Sequence, residues 1–197
     1  MLNNSVIKSL IILVLIILLV AIFKSQKRKK ILNLIENKKT ETLLLELEKA
    51  TTRMCIPAYF RENLKLNAYL IQNDKNNINQ QFEKMWGLHK NNSNNKEFLT
   101  KMLNHYIYVK DKNRAKKILN EIKLTVKEES VIVESEMVYK IFVEKSAEYI
   151  EVLTKKFDFM NISQKALAAY YISEQYKNIN QFDKAKKFEE LYKQLID

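Results

Sequence analysis

Glycine, proline and cysteine are almost missing from this chain, because each occurs once in 197 residues. Ordinary proteins carry about 7% glycine and about 5% proline. Sheet proteins use these residues at hairpins, bulges and strand edges, so their scarcity argues against a sheet. Since 47% of the residues are hydrophobic, the chain has enough apolar material for a packed core. The composition therefore predicts an all-α fold.

The same scarcity excludes several kinds of functional site. Loops that bind phosphate or dinucleotides need several close glycines, and Gly87 stands alone. Cys55 has no second cysteine with which to form a disulfide or a metal site. His89 and His105 are sixteen residues apart, without a carboxylate or cysteine at zinc-site spacing. We therefore predict no catalytic residue, no metal and no cofactor, and a protein that is not an enzyme.

One long hydrophobic segment lies near the N-terminus. Residues 6–23 are apolar except for Lys8 and Ser9. As a helix, this segment measures about 27 Å at 1.5 Å per residue, close to the roughly 30 Å hydrocarbon core of a bilayer. Lys8 lies near one end, from which its long side chain can reach the interface. The segment predicts a membrane span, with residues 1–37 as anchor and basic juxtamembrane segment.

A cleaved signal peptide is the main alternative to a span. Such peptides carry positive charge before the apolar core and small residues at a cleavage site after it. Here a basic cluster follows the core, which predicts an uncleaved signal-anchor. The cluster consists of Lys24, Lys27, Arg28, Lys29 and Lys30. By the positive-inside rule, it places the N-terminus outside and the following domain in the cytoplasm. The abundance of Asn, Lys and Ile is typical of an AT-rich genome. We expect the membrane to be a bacterial inner or plasma membrane.

Helical periodicity continues through the rest of the chain. Apolar residues recur at three- and four-residue spacing, as at Phe98 and Met102. A helix is predicted over residues 41–52 and ends before Pro57, because the residue preceding proline avoids helical angles. Short turns between helices produce antiparallel hairpins, so residues 38–197 are predicted to form one helical domain. The turns are expected at residues 73–77, 90–95, 110–112, 127–130, 159–162 and 177–180.

Two stretches of this domain share a pattern. Tyr106 is followed nine residues later by Ala115, and Tyr176 is followed nine residues later by Ala185. In both stretches an apolar residue follows three positions after the alanine. Recurrence of this kind indicates repeated helix hairpins. Two further stretches match less well, namely Val138 and Tyr139 with Ala147, and residues 69–86 with an irregular turn.

The pattern resembles the tetratricopeptide repeat over residues 57–196. In that family a tyrosine late in the first helix and an alanine early in the second let the two helices pack closely. Phe182 matches an aromatic residue that often precedes the alanine. The chain departs from the family at Leu103 and Ser173, where the family has glycine, and it lacks the Trp-Leu start and the terminal proline. The resemblance implies a tetratricopeptide-like α-solenoid, and an irregular helical bundle is the alternative.

The resemblance also implies a binding surface. In tetratricopeptide proteins the first helices of the hairpins line a groove that holds a peptide or a partner helix. We therefore expect a membrane-anchored, cytoplasm-facing scaffold that binds a protein or peptide. Carried over to the two better-matching stretches, the groove positions are Thr100, Asn104, Tyr108, Tyr170, Glu174 and Asn178.

Two other functions remain open at this point. A structural subunit of a membrane assembly or secretion complex would use the anchor helix itself for contacts. Nucleic-acid binding would use the formal charge of +11, but six of these charges lie in residues 1–30. Elsewhere acidic residues are mixed with the basic ones, and no known nucleic-acid-binding module is present. We therefore expect no nucleic-acid partner.

Overall fold

The described part of the chain is all-helical, as predicted. A computed structural model describes the backbone of residues 4–89 and 95–196 and the side chains of residues 13–88 and 95–196, and no β-strand occurs in these ranges. A short 3₁₀ turn at Phe157–Phe159 follows α9. The helices are α1 (Asn4–Glu36), α2 (Thr40–Glu48), α3 (Ala50–Cys55), α4 (Ala58–Gln72), α5 (Lys75–His89), α6 (Asn95–Tyr108), α7 (Lys112–Thr125), α8 (Glu129–Phe142), α9 (Ile150–Lys156), α10 (Ile162–Asn178) and α11 (Phe182–Ile196).

The chain forms two compact units, Met1–Asn92 and Ser93–Asp197. In the first unit α2 packs against α1, α3 and α4, and α4 pairs with α5. In the second unit α6 pairs with α7 and α10 with α11, while α8 contacts α6, α7 and α10. The division into an anchor over residues 1–37 and a domain over residues 38–197 stays a prediction.

Helix α1 contains the segment that was predicted to span a membrane. Its large apolar side chains from Leu13 to Phe23 are exposed, with Leu19 at 66%. Within the ranges that the structure describes, no helix combines the length and the apolar character that a membrane crossing requires. The structure describes no side chain of residues 6–12, so the predicted position of Lys8 at the interface lies outside the described side chains.

The predicted turns at residues 73–77, 110–112, 127–130, 159–162 and 177–180 fall at breaks between helices. The turn predicted at 90–95 lies outside the described residues, apart from Asn95, which begins α6. The helix predicted over residues 41–52 is divided, because Lys49 has an extended ψ of 137° between α2 and α3. The connection between α8 and α9 was not predicted. Ala147 lies in this connection and not early in a second helix.

A turn without glycine joins α6 to α7. Lys110 has a left-handed φ of 61°. The N–H of Lys110 donates to the Ile107 carbonyl at 3.0 Å, and the N–H of Asp111 donates to the Tyr106 carbonyl at 2.9 Å. These two bonds define a Schellman motif, which satisfies carbonyl groups at the helix end. The helix therefore reverses direction within three residues, and α7 can pack back against α6.

The same turn geometry recurs along the chain. Left-handed backbone occurs again at Lys38, Asn73 and Asn180, and in each case the next N–H donates to the carbonyl five residues earlier. A related bond joins the N–H of Glu144 to the Tyr139 carbonyl at 3.3 Å. The acceptor carbonyls therefore recur at intervals of 35, 37, 33 and 37 residues, and they belong to Leu34, Tyr69, Tyr106, Tyr139 and Tyr176.

Each unit has its own apolar cluster. In the first unit, α1 and α2 contribute Ile31, Leu34, Leu43 and Leu47, which pack with Cys55, Ile56 and Ala68. In the second unit, α8, α9 and α10 contribute Val138, Ile141, Leu153, Ala168, Tyr171 and Ile172.

Candidate partner-binding site

The paired tyrosine and alanine positions lie at the helix hairpins of the second unit. Ala115 is fully buried on α7, and Ala185 is 1% exposed on α11. Tyr106 is buried on α6, while Tyr176 on α10 stacks on Phe188 with ring centroids 5.8 Å apart. An alanine at such a position lets two helix backbones approach closely. This packing fixes where the first helix of each hairpin presents its remaining side chains.

A cavity of about 670 Å³ opens between α6, α8 and α10. We call it the aromatic cavity. Its volume is within the roughly 300–1,000 Å³ that is typical of ligand pockets. Five of its fourteen lining residues are aromatic, against 10% of the whole chain, and they are Tyr106, Tyr108, Phe142, Tyr170 and Tyr171.

The structure brings four of the six predicted groove residues to this cavity. They are Asn104, Tyr108, Tyr170 and Glu174. Thr100 is not part of the lining, and its hydroxyl donates to the backbone carbonyl of Lys96 at 2.8 Å. The Asn178 amide donates to the carbonyls of Ile141 at 2.9 Å and Ser146 at 3.2 Å. Asn178 therefore ties the end of α10 to the end of α8 instead of lining the cavity.

The aromatic side chains of the wall contact one another. The Phe142 ring stacks on Tyr170 at a centroid distance of 5.6 Å and meets Tyr171 edge-on at 6.0 Å. Burial raises the pKa of the Tyr170 hydroxyl, and it also raises the pKa of the Tyr171 hydroxyl. Both hydroxyls therefore stay protonated at neutral pH. Tyr108 differs from these residues because it is 70% exposed at the mouth.

Three exposed lysines surround the mouth of the aromatic cavity, namely Lys110, Lys112 and Lys145. Lys110 and Lys145 both occupy left-handed turn positions, with φ of 61° and 62°. The single acidic residue of the lining, Glu174, lies 2.8 Å from Lys177. No ion pair to any of the three lysines is found in the described part of the chain. The mouth therefore carries unneutralised positive charge.

A second polar feature lies in the first unit, where the buried Glu46 contacts the predicted membrane-flank residues. Its side chain is 2% exposed, and its carboxylate oxygens lie 2.8 Å from Lys27 Nζ and 2.9 Å from both Lys30 Nζ and Lys49 Nζ. The hydrogen bond from Lys27 is the main reason that the pKa of Glu46 falls to about 2, against the opposing effect of burial. The carboxylate therefore remains ionised and holds α1 against α2.

This arrangement divides the basic cluster into two groups. Lys27 and Lys30 are bonded to Glu46, although Lys30 is also exposed, whereas Lys24, Arg28 and Lys29 are exposed and make no bond to Glu46. The sequence contains a signal that the original prediction missed, because Glu46 lies three residues after Leu43 and one before Leu47. An acid at that spacing shares the buried face of α2 and needs a cationic partner.

A further ion-pair network surrounds Glu62 on α4, which is 1% exposed. Burial alone would raise the pKa of Glu62, but donors from Gln81 at 3.0 Å and Lys84 at 2.9 Å help to lower it to about 2. The buried Lys65 lies 3.5 Å from Glu62 and also bonds Glu48. Arg61 also lies 3.2 Å from Glu62, and Arg53 pairs with Glu48, so the two carboxylates meet an excess of cations. Because the ion pairs join α4 to Glu48 on α2 and to Lys84 on α5, we assign this network to holding α4 against its neighbours.

The other residues that the sequence singled out lie apart from these sites. Cys55 is buried in the apolar cluster of the first unit. Burial lowers the pKa of His105, so its ring is neutral at neutral pH. The His89 side chain lies outside the described side chains. Within the described ranges, no group of three His, Cys, Asp or Glu residues could hold a metal ion.

Comparisons with protein-family models, with curated proteins and with solved structures found no match to this chain. Its function is therefore inferred from the geometry of its own residues.

Proposed function

We propose that this protein is a membrane-anchored scaffold that binds a protein or peptide partner in the aromatic cavity. The observation that carries the proposal is the composition of that cavity. It combines a preformed aromatic wall with polar groups at the mouth, such as Asn104 and Glu174. Apolar walls with a few placed polar groups are typical of binding sites. Exposed aromatic residues such as Tyr108 are also enriched at the centres of protein interfaces.

The anchor in this proposal is the apolar part of α1. Its ten large apolar side chains from Leu13 to Phe23 are 43–66% exposed. Exposure of this apolar surface to water is unfavourable by roughly 25 cal/mol per Å², so transfer to a lipid environment would stabilise the helix. Exposed basic residues follow directly, and Lys24, Arg28 and Lys29 suit anionic headgroups at the cytoplasmic surface. The anchor would concentrate the aromatic cavity at the membrane.

The proposed domain type is a degenerate tetratricopeptide-like array of helix hairpins. The backbone bonds from each turn to the carbonyl five residues earlier, four of them in Schellman turns, recur at intervals of 33–37 residues and support this interpretation. They also extend the recurrence to the α1–α2 turn, which lies outside the range of the original resemblance. In a repeat protein of this kind each hairpin packs on its neighbours in sequence, as α6, α7 and α8 do here.

Partner capture by the intact, detergent-solubilised protein tests the binding role. We expect the double variant Asn104→Ala and Tyr108→Ala to lose its specific partners by about tenfold or more, because truncating a central aromatic residue typically costs about 2 kcal/mol. Both side chains are exposed, so the thermal stability should stay unchanged. The double variant Asn120→Ala and Leu124→Ala is the matched control, because these residues are also exposed, also four residues apart on one helix and outside the cavity lining. An unchanged set of captured proteins in the double variant would count against the proposal.

A second candidate function is a structural subunit of a membrane assembly. An apolar cavity of about 380 Å³ in the first unit favours it, because exposed Leu32, Ile35 and Phe60 line this cavity beside α1. The same capture experiment distinguishes the two functions. A partner that binds through the first unit would be retained by the variant that lacks Asn104 and Tyr108.

A further inference from the structure

We infer that the aromatic cavity recognises an acidic segment of a partner protein, in which Asp or Glu residues flank aromatic or aliphatic side chains. This inference rests on the proposed partner-binding function and names the chemistry of the partner. Its basis is the juxtaposition of unpaired lysines with an apolar wall at one cavity.

The charge around the cavity mouth is the first step. Lys110, Lys112 and Lys145 are exposed, and none is ion-paired within the described ranges. Two acidic residues adjoin these lysines along the chain, Asp111 and Glu144, and both lie outside the lining. Asp111 accepts a hydrogen bond from the backbone N–H of Arg114 at 3.0 Å, and its carboxylate lies 3.6 Å from the Arg114 side chain. Glu174 shares Lys177 with Glu189 and is the one acidic residue of the lining, which contains three lysines. The mouth is therefore complementary to added carboxylates, and it would repel a basic segment.

The backbone that carries these lysines is held in place, which is the second step. Lys110 occupies the Schellman turn between α6 and α7. The N–H of Ser146, which follows Lys145, donates to the Lys140 carbonyl at 3.0 Å, and the Ser146 carbonyl accepts from the Asn178 side chain. Two fixed turns thus present cations at the ends of α6 and α8. Because the backbone of these turns is already ordered, binding costs only the entropy of the lysine side chains and not that of a mobile loop.

The aromatic wall favours a polypeptide over a nucleic acid, which is the third step. Single-stranded nucleic acids bind along rows of open aromatic faces. Here Phe142 is covered by Tyr170 and Tyr171, and Tyr170 also contacts Tyr192 at 5.6 Å. Only Tyr108 among the lining aromatic residues is largely exposed. The wall can therefore receive one or two apolar side chains but offers no stacking platform for successive bases.

The test measures fluorescence polarisation of the full-length protein in detergent. The probe is a labelled eight-residue peptide with blocked ends, containing five Asp or Glu, two Phe and one Leu, and its matched control replaces each acid with Asn or Gln. We expect the acidic peptide to bind at least about tenfold more tightly. Each single change among Lys110→Ser, Lys112→Ser and Lys145→Ser should weaken its binding by about two- to fivefold, and added salt should weaken it further.

Two matched triple variants show whether the lysines bind the peptide from their place at the cavity mouth or only through the net charge of the protein. The triple replacement of Lys110, Lys112 and Lys145 by Ser should lower the affinity by about tenfold or more. Replacing three exposed lysines outside the cavity should leave the affinity within about twofold, and these are Lys116, Lys186 and Lys187. Similar losses in both triple variants would overturn the inference, because the lysines would then act only through net charge.

The outcomes also separate this inference from the proposed function. If the neutral peptide binds as well as the acidic one, the acidic preference is overturned. If replacing Asn104 and Tyr108 still abolishes partner capture, that result leaves the proposed partner-binding function in place. If capture is also unchanged, both the inference and the proposed function are wrong. A uridine oligonucleotide that binds more tightly than the acidic peptide, with the same lysine dependence, would overturn the inference in favour of a nucleic acid.

Discussion

Glu46 is a single residue that fastens α1 to the rest of the first unit. Its carboxylate is 2% exposed and receives hydrogen bonds from Lys27, Lys30 and Lys49. A carboxylate in this environment is stabilised in its charged form, which is why its pKa falls to about 2. The stability of the first unit should therefore depend on pH through this residue.

The direction of that dependence follows from the two pKa values. The unfolded chain takes up a proton near pH 4.5, whereas folded Glu46 takes it up only near pH 2. The free energy of unfolding should therefore decrease as the pH falls from about 5 to about 2, by about 3 kcal/mol from this residue. Glu46→Gln should lose about 2 kcal/mol at pH 7 and flatten the acid dependence. Urea unfolding at several pH values measures both effects.

Exposed Glu41 on the same helix provides the control for this prediction. Glu41→Gln should change the free energy of unfolding by less than about 0.5 kcal/mol at any pH. The pKa of Glu62 is lowered in the same way, so the stability of both variants should still decrease to some extent at acidic pH. If the free energy of unfolding of Glu46→Gln decreases with falling pH as steeply as that of the wild type, the role given to the lysine bonds of Glu46 is contradicted.

At the scale of elements, the recurring turn is made without glycine, although glycine is the residue that tolerates left-handed backbone best. Lys38 and Lys110 take φ of 53° and 61° at these turns. A side chain in this conformation costs roughly 1 kcal/mol relative to glycine. The hydrogen bonds of the Schellman motif and the packing of the following helix offset that cost.

Lys38→Gly should therefore stabilise the first unit by about 1 kcal/mol, since it relieves the left-handed strain between α1 and α2 without removing a backbone bond. Thr42→Gly, at an exposed position inside α2, should instead destabilise it by about 1 kcal/mol. Thermal unfolding of the two variants under the same conditions measures the difference. Equal destabilisation by both would show that no strain is stored at Lys38.

Much of the helical layout could be predicted from sequence, because clusters of Asn and Lys interrupt a strong apolar periodicity. The connection between α8 and α9 was missed since Val143, Ala147 and Ile150 continue that periodicity. Left-handed Lys145 lengthens this turn beyond the recurring one and leaves Ala147 before α9. The longer turn cannot be predicted from the local sequence, because the side chain of Asn178 on α10 stabilises it from a distant part of the chain.

The candidate site was predictable in part for a related reason. Asn104 and Tyr108 lie four residues apart on α6, as Tyr170 and Glu174 do on α10, so helical spacing alone places each pair on one face. Lys145 could not be placed in the same way. Its position at the mouth depends on how α8 packs between the two hairpins, which is a long-range property of the fold.

At the scale of the whole molecule, the proposal depends on α1 as a membrane anchor. Leu15→Arg together with Leu18→Arg should release the protein from washed membranes, because each arginine costs about 2.5–3.5 kcal/mol near the centre of an inserting helix. Leu45→Arg with Leu124→Arg changes two other exposed leucines and should leave the protein in the membrane fraction. Fractionation after an alkaline wash measures this. A wild-type protein that itself remains in the supernatant would contradict the anchor.

Helix α1 runs without interruption from Asn4 to Glu36, and Glu46 grips it through Lys27 and Lys30. In the proposed membrane-anchored state, the rotation of α1 about its own axis therefore determines the direction in which the first unit faces. Each residue of an α-helix turns by about 100°, so one residue inserted between Phe23 and Lys27 swings that unit roughly a quarter of the way around the membrane normal. The length of α1 therefore determines the direction in which the first unit faces.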